Sequence, residues 1–170
     1  MDLAIEFDPT RWEGDLVLLP RGQLKVDRSL RTAVYLSWFL DRQAEPGDVL
    51  PDDDPLNPGA GDKRGWWGDW YLRALLGLQQ AAPGVAVLPT FRLGSRLWLL
   101  GRPKETAEVV ALARQYGAEA LDWLTDFNIA GSVTVTAEIV REGILGLEAV
   151  IQRNRNPETI RYDYAWGRAA

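Results

Sequence analysis

Between Ser132 and Trp166 the sequence alternates apolar and polar residues through three successive runs, the period of a strand with one buried side. Val133, Val135, Ala137 and Ile139 fall on one face of the first run, opposite Ser132, Thr134, Thr136 and Glu138. Leu145, Leu147, Ala149 and Ile151 make the second inward row. Ile160, Tyr162, Tyr164 and Trp166 make the third, opposite Thr159, Arg161 and Asp163. The links Arg141-Glu142-Gly143 and Asn154-Arg155-Asn156-Pro157 are short enough for antiparallel hairpins. A meander with one apolar face needs a cover, and the residues just ahead supply it. From about Glu105 to Phe127, Val109, Leu112, Tyr116, Ala120, Trp123 and Phe127 recur at spacings of three and four. Ala113, Gly117 and Leu121 widen that stripe, and the small pair lets a helix lie close to a sheet. The pattern predicts an α+β protein: a long amphipathic helix packed on a C-terminal three-stranded antiparallel meander.

Ahead of this unit, Leu3 to Phe7 alternates, Asp8-Pro9-Thr10 turns the chain, and Gly14 to Leu19 reads as a second strand. An N-terminal β-hairpin around Thr10 to Gly14 is expected. A helix follows, with Asp27 or Ser29 as its N-cap and Asp41-Arg42 at its end. Its apolar residues cover more than half the circumference, which marks a buried helix. Residues 43–63 are rich in Pro, Gly and Asp, a composition that excludes a helix or a central strand. Its four aspartates lack the spacing and closing Glu of an EF-hand, so it reads as a solvated acidic loop. A short helix from Trp70 to Leu78, a break at Pro83-Gly84, a brief strand over Val85 to Leu88 and, within Gly94 to Gly101, a helical turn favoured over a strand that periodicity does not exclude lie between. All 170 residues are expected to form one domain.

There is no cysteine and no histidine. Disulfides, thiol nucleophiles, Cys or His metal sites and Ser-His-Asp arrangements are therefore excluded. No metal or other cofactor is expected. Net charge is −5 and the pI about 4.8, with arginines scattered among carboxylates, so nucleic acid is not an expected partner. The apolar runs Leu16 to Leu19 and Ala33 to Leu40 are too short to cross a bilayer. Met1-Asp2-Leu3 shows no basic region ahead of an apolar stretch, so no secretory signal and no membrane association are expected. Glycoside hydrolysis needs only two placed carboxylates and is the reaction this alphabet serves most easily. Asp69, beside several tryptophans, is the leading residue for a cell-wall glycosidase, yet no second carboxylate can be placed against it. A carbohydrate-binding module built on the tryptophans, eight in all, is the other alternative.

The runs that carry most identity are Leu30-Arg31-Thr32-Ala33-Val34-Tyr35-Leu36, Leu50-Pro51-Asp52-Asp53 and Arg64-Gly65-Trp66-Trp67-Gly68-Asp69. Gly94-Ser95-Arg96-Leu97-Trp98-Leu99-Leu100 and a closing Tyr164-Ala165-Trp166 follow in order. Together they resemble the small baseplate wedge protein of Mu-like contractile-tail phages and prophages, which is related to the wider group of sheath initiators. The resemblance implies a non-enzymatic subunit of the virion tail baseplate, assembled in the host bacterial cytoplasm. It implies six copies in a ring, bound to other baseplate wedge proteins and to the tail sheath protein, with the hub or tube as a further partner. Sheath initiators often carry Glu-Pro-Arg between the last helix and the next strand, whereas Asp126-Phe127-Asn128-Ile129-Ala130 stands here. The residues expected to meet partners are Arg64, Trp66, Trp67, Asp69 and Trp70, with Arg161, Tyr162, Asp163, Tyr164 and Trp166 on the last strand.

Overall fold

The computed structural model describes residues 2–8, 10–11, 13–27, 29–51, 53–54, 56–57, 59–68, 71, 74, 92–100, 106–153 and 156–165. At its N-terminus, β1 (Asp2–Leu3) pairs with β4 (Val26–Asp27), and β2 (Ile5–Asp8) with β3 (Glu13–Leu16), both antiparallel. A bridge joins Leu18 to Leu24. The three ladders meet in a ring of backbone hydrogen bonds. The Ala4 N–H donates to the Lys25 carbonyl (2.8 Å), Lys25 N–H to Val17 (2.8 Å), and Val17 N–H to Ala4 (3.3 Å). The β2–β3 hairpin is the one its alternation predicts. The third segment is an addition, because strands two residues long carry no readable period.

α1 (Arg31–Phe39) follows; its N-cap position is Leu30, which makes no side-chain cap bond, and the two residues expected at that position, Asp27 and Ser29, accept from its entry N–H groups from outside. Asp27 accepts from the Thr32 N–H (3.0 Å) and from the Ser29 N–H (2.7 Å), while Ser29 Oγ accepts from the Arg31 N–H (3.0 Å). A third cap was not legible: Glu158, 128 residues away, accepts from the Leu30 N–H (3.1 Å). The other end of α1 is closed by Gly94-Ser95. The Ser95 N–H donates to the Leu40 carbonyl (2.9 Å), and its hydroxyl to that of Trp38 (2.6 Å). Leu97–Leu100 then forms the expected helical turn, of 3-10 type and fully buried.

The helix read over 105–127 is in fact two. α2 (Ala107–Glu119) starts at the Thr106 cap, and α3 (Trp123–Asp126) resumes after a tightened turn. In that turn the N–H groups of Leu121 and Leu124 reach back three residues, to Ala118 and Leu121. Tightening rotates the buried face, so Leu121 and Leu124 are wholly buried while Phe127 is 43% exposed. The core line is thus Val109, Ala113, Gly117, Leu121 and Leu124, not the stripe ending in Phe127. Gly117 works as its size predicts. A Cβ there would come within 3.2 Å of Val135 and 3.6 Å of Leu147, and its carbonyl accepts from Trp38 Nε1 (3.0 Å).

β5 (Ser132–Arg141), β6 (Ile144–Arg153) and β7 (Asn156–Ala165) form the antiparallel meander in the order β5-β6-β7. The inward rows pair as the alternation requires: Val133 with Ile151, Val135 with Ala149, Ala137 with Leu147 and Ile139 with Leu145, then Ala149 with Ile160. The register slips between Ile139 and Arg141, where β5 carries one extra residue. This face and the α1, α2 and α3 faces enclose one core around Trp38, Leu97, Leu147 and Ile160.

Candidate functional site

Two regions carry the residues expected to meet partners. In the first, Arg64 and Gly65 adopt the left-handed backbone (φ 39° and 110°) and turn the chain out of the acidic loop. Arg64 Nη1 holds the Asp41 carboxylate at 2.8 Å, and its guanidinium lies 4.9 Å from the centre of the Trp98 ring. Trp98 is buried and donates Nε1 to the Arg42 carbonyl (2.8 Å). Trp66 is half-buried, folded over Gly68 so closely that a Cβ there would lie 2.1 Å from its ring. Its Nε1 is buried and has no hydrogen-bond partner among the described residues. Trp67 stands edge-on to Trp66, ring centres 5.8 Å apart, and is 85% exposed. The two adjacent indoles therefore part: Trp66 folds back over Gly68, and Trp67 faces solvent.

The second region is β7. Arg161 lies on the outward face and reaches Glu138 on β5 at 2.6 Å, across the width of the sheet. Tyr162, Asp163 and Tyr164 take their backbone register from Leu147, Gly146 and Leu145. Among the described residues no strand pairs with the outer edge of β5 or of β7. Asp69, Trp70 and Trp166 lie outside the described residues, as do Lys104, most of the helix expected over 70–78 and the strand expected over 85–88.

What sequence reasoning missed is a charged cluster that fastens the acidic loop to the core. Arg42 bonds Glu119 (2.5 Å) and Glu45 (2.8 Å), and Arg92 also reaches Glu45 (2.7 Å). Arg96 bonds Glu119 (2.5 Å) and Asp48 (2.7 Å) and stacks over Tyr116 at 4.6 Å. Burial and the nearby charge of Asp48 both push the Tyr116 hydroxyl above its ordinary range. Of the four aspartates read as solvated loop charge, Asp48 is thus paired, with Arg96. The loop above them exposes apolar side chains instead, Val49 at 84% and Leu56 at 93%. Among the described residues, no group of three or more acidic side chains could hold a metal ion.

Open strand edges and exposed indoles are features through which chains join other chains. The chain belongs to the family of phage protein GP46, whose model matches residues 30–158. Baseplate protein gp46 of Escherichia phage Mu is 40% identical over 146 residues, which cover 86% of this chain and 83% of that protein. Mu-like prophage FluMu protein gp46 of Haemophilus influenzae is 33% identical over 150 residues, covering 88% and 85%.

Proposed function

We propose that this chain is a structural subunit of a contractile-tail baseplate, without catalytic activity of its own. In this reading it occupies the inner wedge in six copies, binds larger wedge proteins, and offers a strand template to the first ring of sheath. Its place would be the virion tail, after assembly in the host cytoplasm. The relative named as a baseplate protein supports the general role. The observation that carries the finer one is the sheet β5-β6-β7, covered on one face and paired by no described strand at either edge. A strand added there gains main-chain hydrogen bonds without any rearrangement of the core. Trp67, exposed on a segment that Arg64 fastens to Asp41 and Trp98, supplies the kind of apolar anchor on which interface energy concentrates.

Co-expression with the neighbouring tail genes, affinity purification and mass determination of the complex would test this. A stable complex with a larger tail protein is expected. Trp67→Ala or Arg161→Ala should weaken it at least tenfold while the chain stays folded by circular dichroism. A monomer that ignores every tail protein would sink the reading.

A further inference from the structure

A residue in an antiparallel strand turns its N–H and C=O to one side, and its neighbours in sequence turn theirs to the other. On β6 the Gln152 carbonyl accepts from the Gly131 N–H (2.8 Å), so Gln152 faces β5, and Val150, Glu148 and Gly146 do likewise. Their partners in register, Ser132, Thr134, Thr136 and Glu138, bond back to β6. The residues between, Val133, Val135, Ala137 and Ile139, therefore aim both backbone groups away from the sheet. Among the described residues nothing bonds these groups. β5 thus holds four donors and four acceptors along an open edge.

The side chains of the same four residues belong to the inward row, and there the row is incomplete. Val133, Ala137 and Ile139 are only half-buried, whereas their register partners on β6, Ile151, Leu147 and Leu145, are fully buried. The two rows lie side by side, so what separates them is the neighbour missing beyond β5. The other edge differs. On β7, Ile160 of the inward row is 1% exposed, and Glu158 accepts from the Leu30 N–H (3.1 Å) where α1 begins. Pro157 stands opposite Gln152, which faces β5, so the Pro157 nitrogen lies at the free edge and has no hydrogen to donate.

We infer that β5 is the edge that receives a partner, an extended segment of a different polypeptide with an apolar residue at every second position. Directly paired residues share a side, so those set against Val133, Val135, Ala137 and Ile139 fall on the inward face and complete its row. A second copy does not fit. β5 against β5 is a two-fold contact that joins two chains and uses up both edges, whereas the proposed ring holds six. The inference rests on the strand-template reading above and adds to it the edge and the pattern of the strand that fills it.

The test is amide exchange, read residue by residue on the unmodified chain, free and in the complex recovered by co-expression with the neighbouring tail genes. In the free chain the amides of Val133, Val135, Ala137 and Ile139 should exchange fast, and those of Thr134 and Thr136 slowly. In the complex the first four should slow by roughly a hundredfold, while Thr159 and Asp163 on β7 keep their rates. Ala137→Pro removes a free donor and no ladder bond, so it should cut recovery of the complex about tenfold with circular dichroism unchanged. Thr159→Pro, its counterpart on β7, should leave recovery as in the parent. Slowing confined to β7, slowing at neither edge, or β5 protection already present in the free chain or rising with its concentration would each overturn the inference. A chain that forms no complex at all removes the strand-template reading as well, whereas a complex that leaves β5 open removes only the choice of edge.

Discussion

Gly94 shows how a single residue fixes two elements at once. Its backbone has φ +103°, where a side chain is strained, and a Cβ would lie 2.6 Å from the Leu40 carbonyl oxygen that closes α1. That carbonyl is held by the Ser95 N–H, so it cannot yield without breaking the cap. Gly94→Ala is expected to destabilise the fold by roughly 2–4 kcal/mol, read as a lower urea midpoint. The tryptophans divide on the same physical ground. Trp98 is buried with its N–H satisfied by the Arg42 carbonyl, so Trp98→Ala should cost about 3–5 kcal/mol. Trp67 is 85% exposed, and Trp67→Ala should shift stability by no more than about 0.5 kcal/mol. Equal losses at the two positions would mean that Trp67 packs against its own chain and is no free anchor.

At the scale of elements, α1 depends on carboxylates placed at its N-terminus. Burial pushes the Asp27 carboxyl up, but the hydrogen bonds it accepts from Ser29 and Thr32 outweigh this and hold it below its ordinary value. A depressed carboxyl contributes stability above its unfolded pKa, and that contribution is lost as pH falls through the folded one. Asp27→Ala should therefore cost about 1 kcal/mol at pH 7, and the gap from the parent should narrow steadily below about pH 4. Urea titrations at pH 7 and pH 3 would check it, and a gap that stays constant would assign the cost to packing. This cap was legible because Asp27 and Ser29 stand just ahead of an apolar run. The meander was legible for a similar reason: alternation over ten-residue strands leaves one register that buries every inward row. The break between α2 and α3 carries no such mark. No Pro or Gly falls between Ala118 and Asp126, and only the demand of the core for Leu121 and Leu124 tightens the turn. Glu158 escaped notice because a capping partner from another element has no sequence signature.

Across the whole molecule, the same limit hid the charged cluster. Arg42 and Glu119 are 77 residues apart, and no periodicity joins them to Asp48 or Arg96. Yet this cluster helps tie the acidic loop to the folded body. Beside it, Leu50 is buried against Trp98 and Leu99, the Ala44 N–H donates to the Lys63 carbonyl (3.1 Å), and short turns place the N–H groups of Asp53, Asn57 and Ala60 on backbone carbonyls three residues back. Glu119 is the shared carboxylate, held by two arginines whose side chains are only 15% and 13% exposed. Glu119→Gln leaves both guanidinium groups short of an anion in a poorly solvated place. A loss of roughly 2 kcal/mol is expected from the bonds to charged groups alone. The loss should also be local. Exchange at the amides of Asp53, Asn57 and Ala60 should quicken at least tenfold, while Leu147, on the central strand with a neighbour on each side, slows or quickens only with global stability. Added salt should reproduce little of this, because screening acts weakly on pairs this far from bulk water. Uniform acceleration at the loop and at β6 alike would show instead that the cluster supports the entire core, and that the loop is ordered by other contacts.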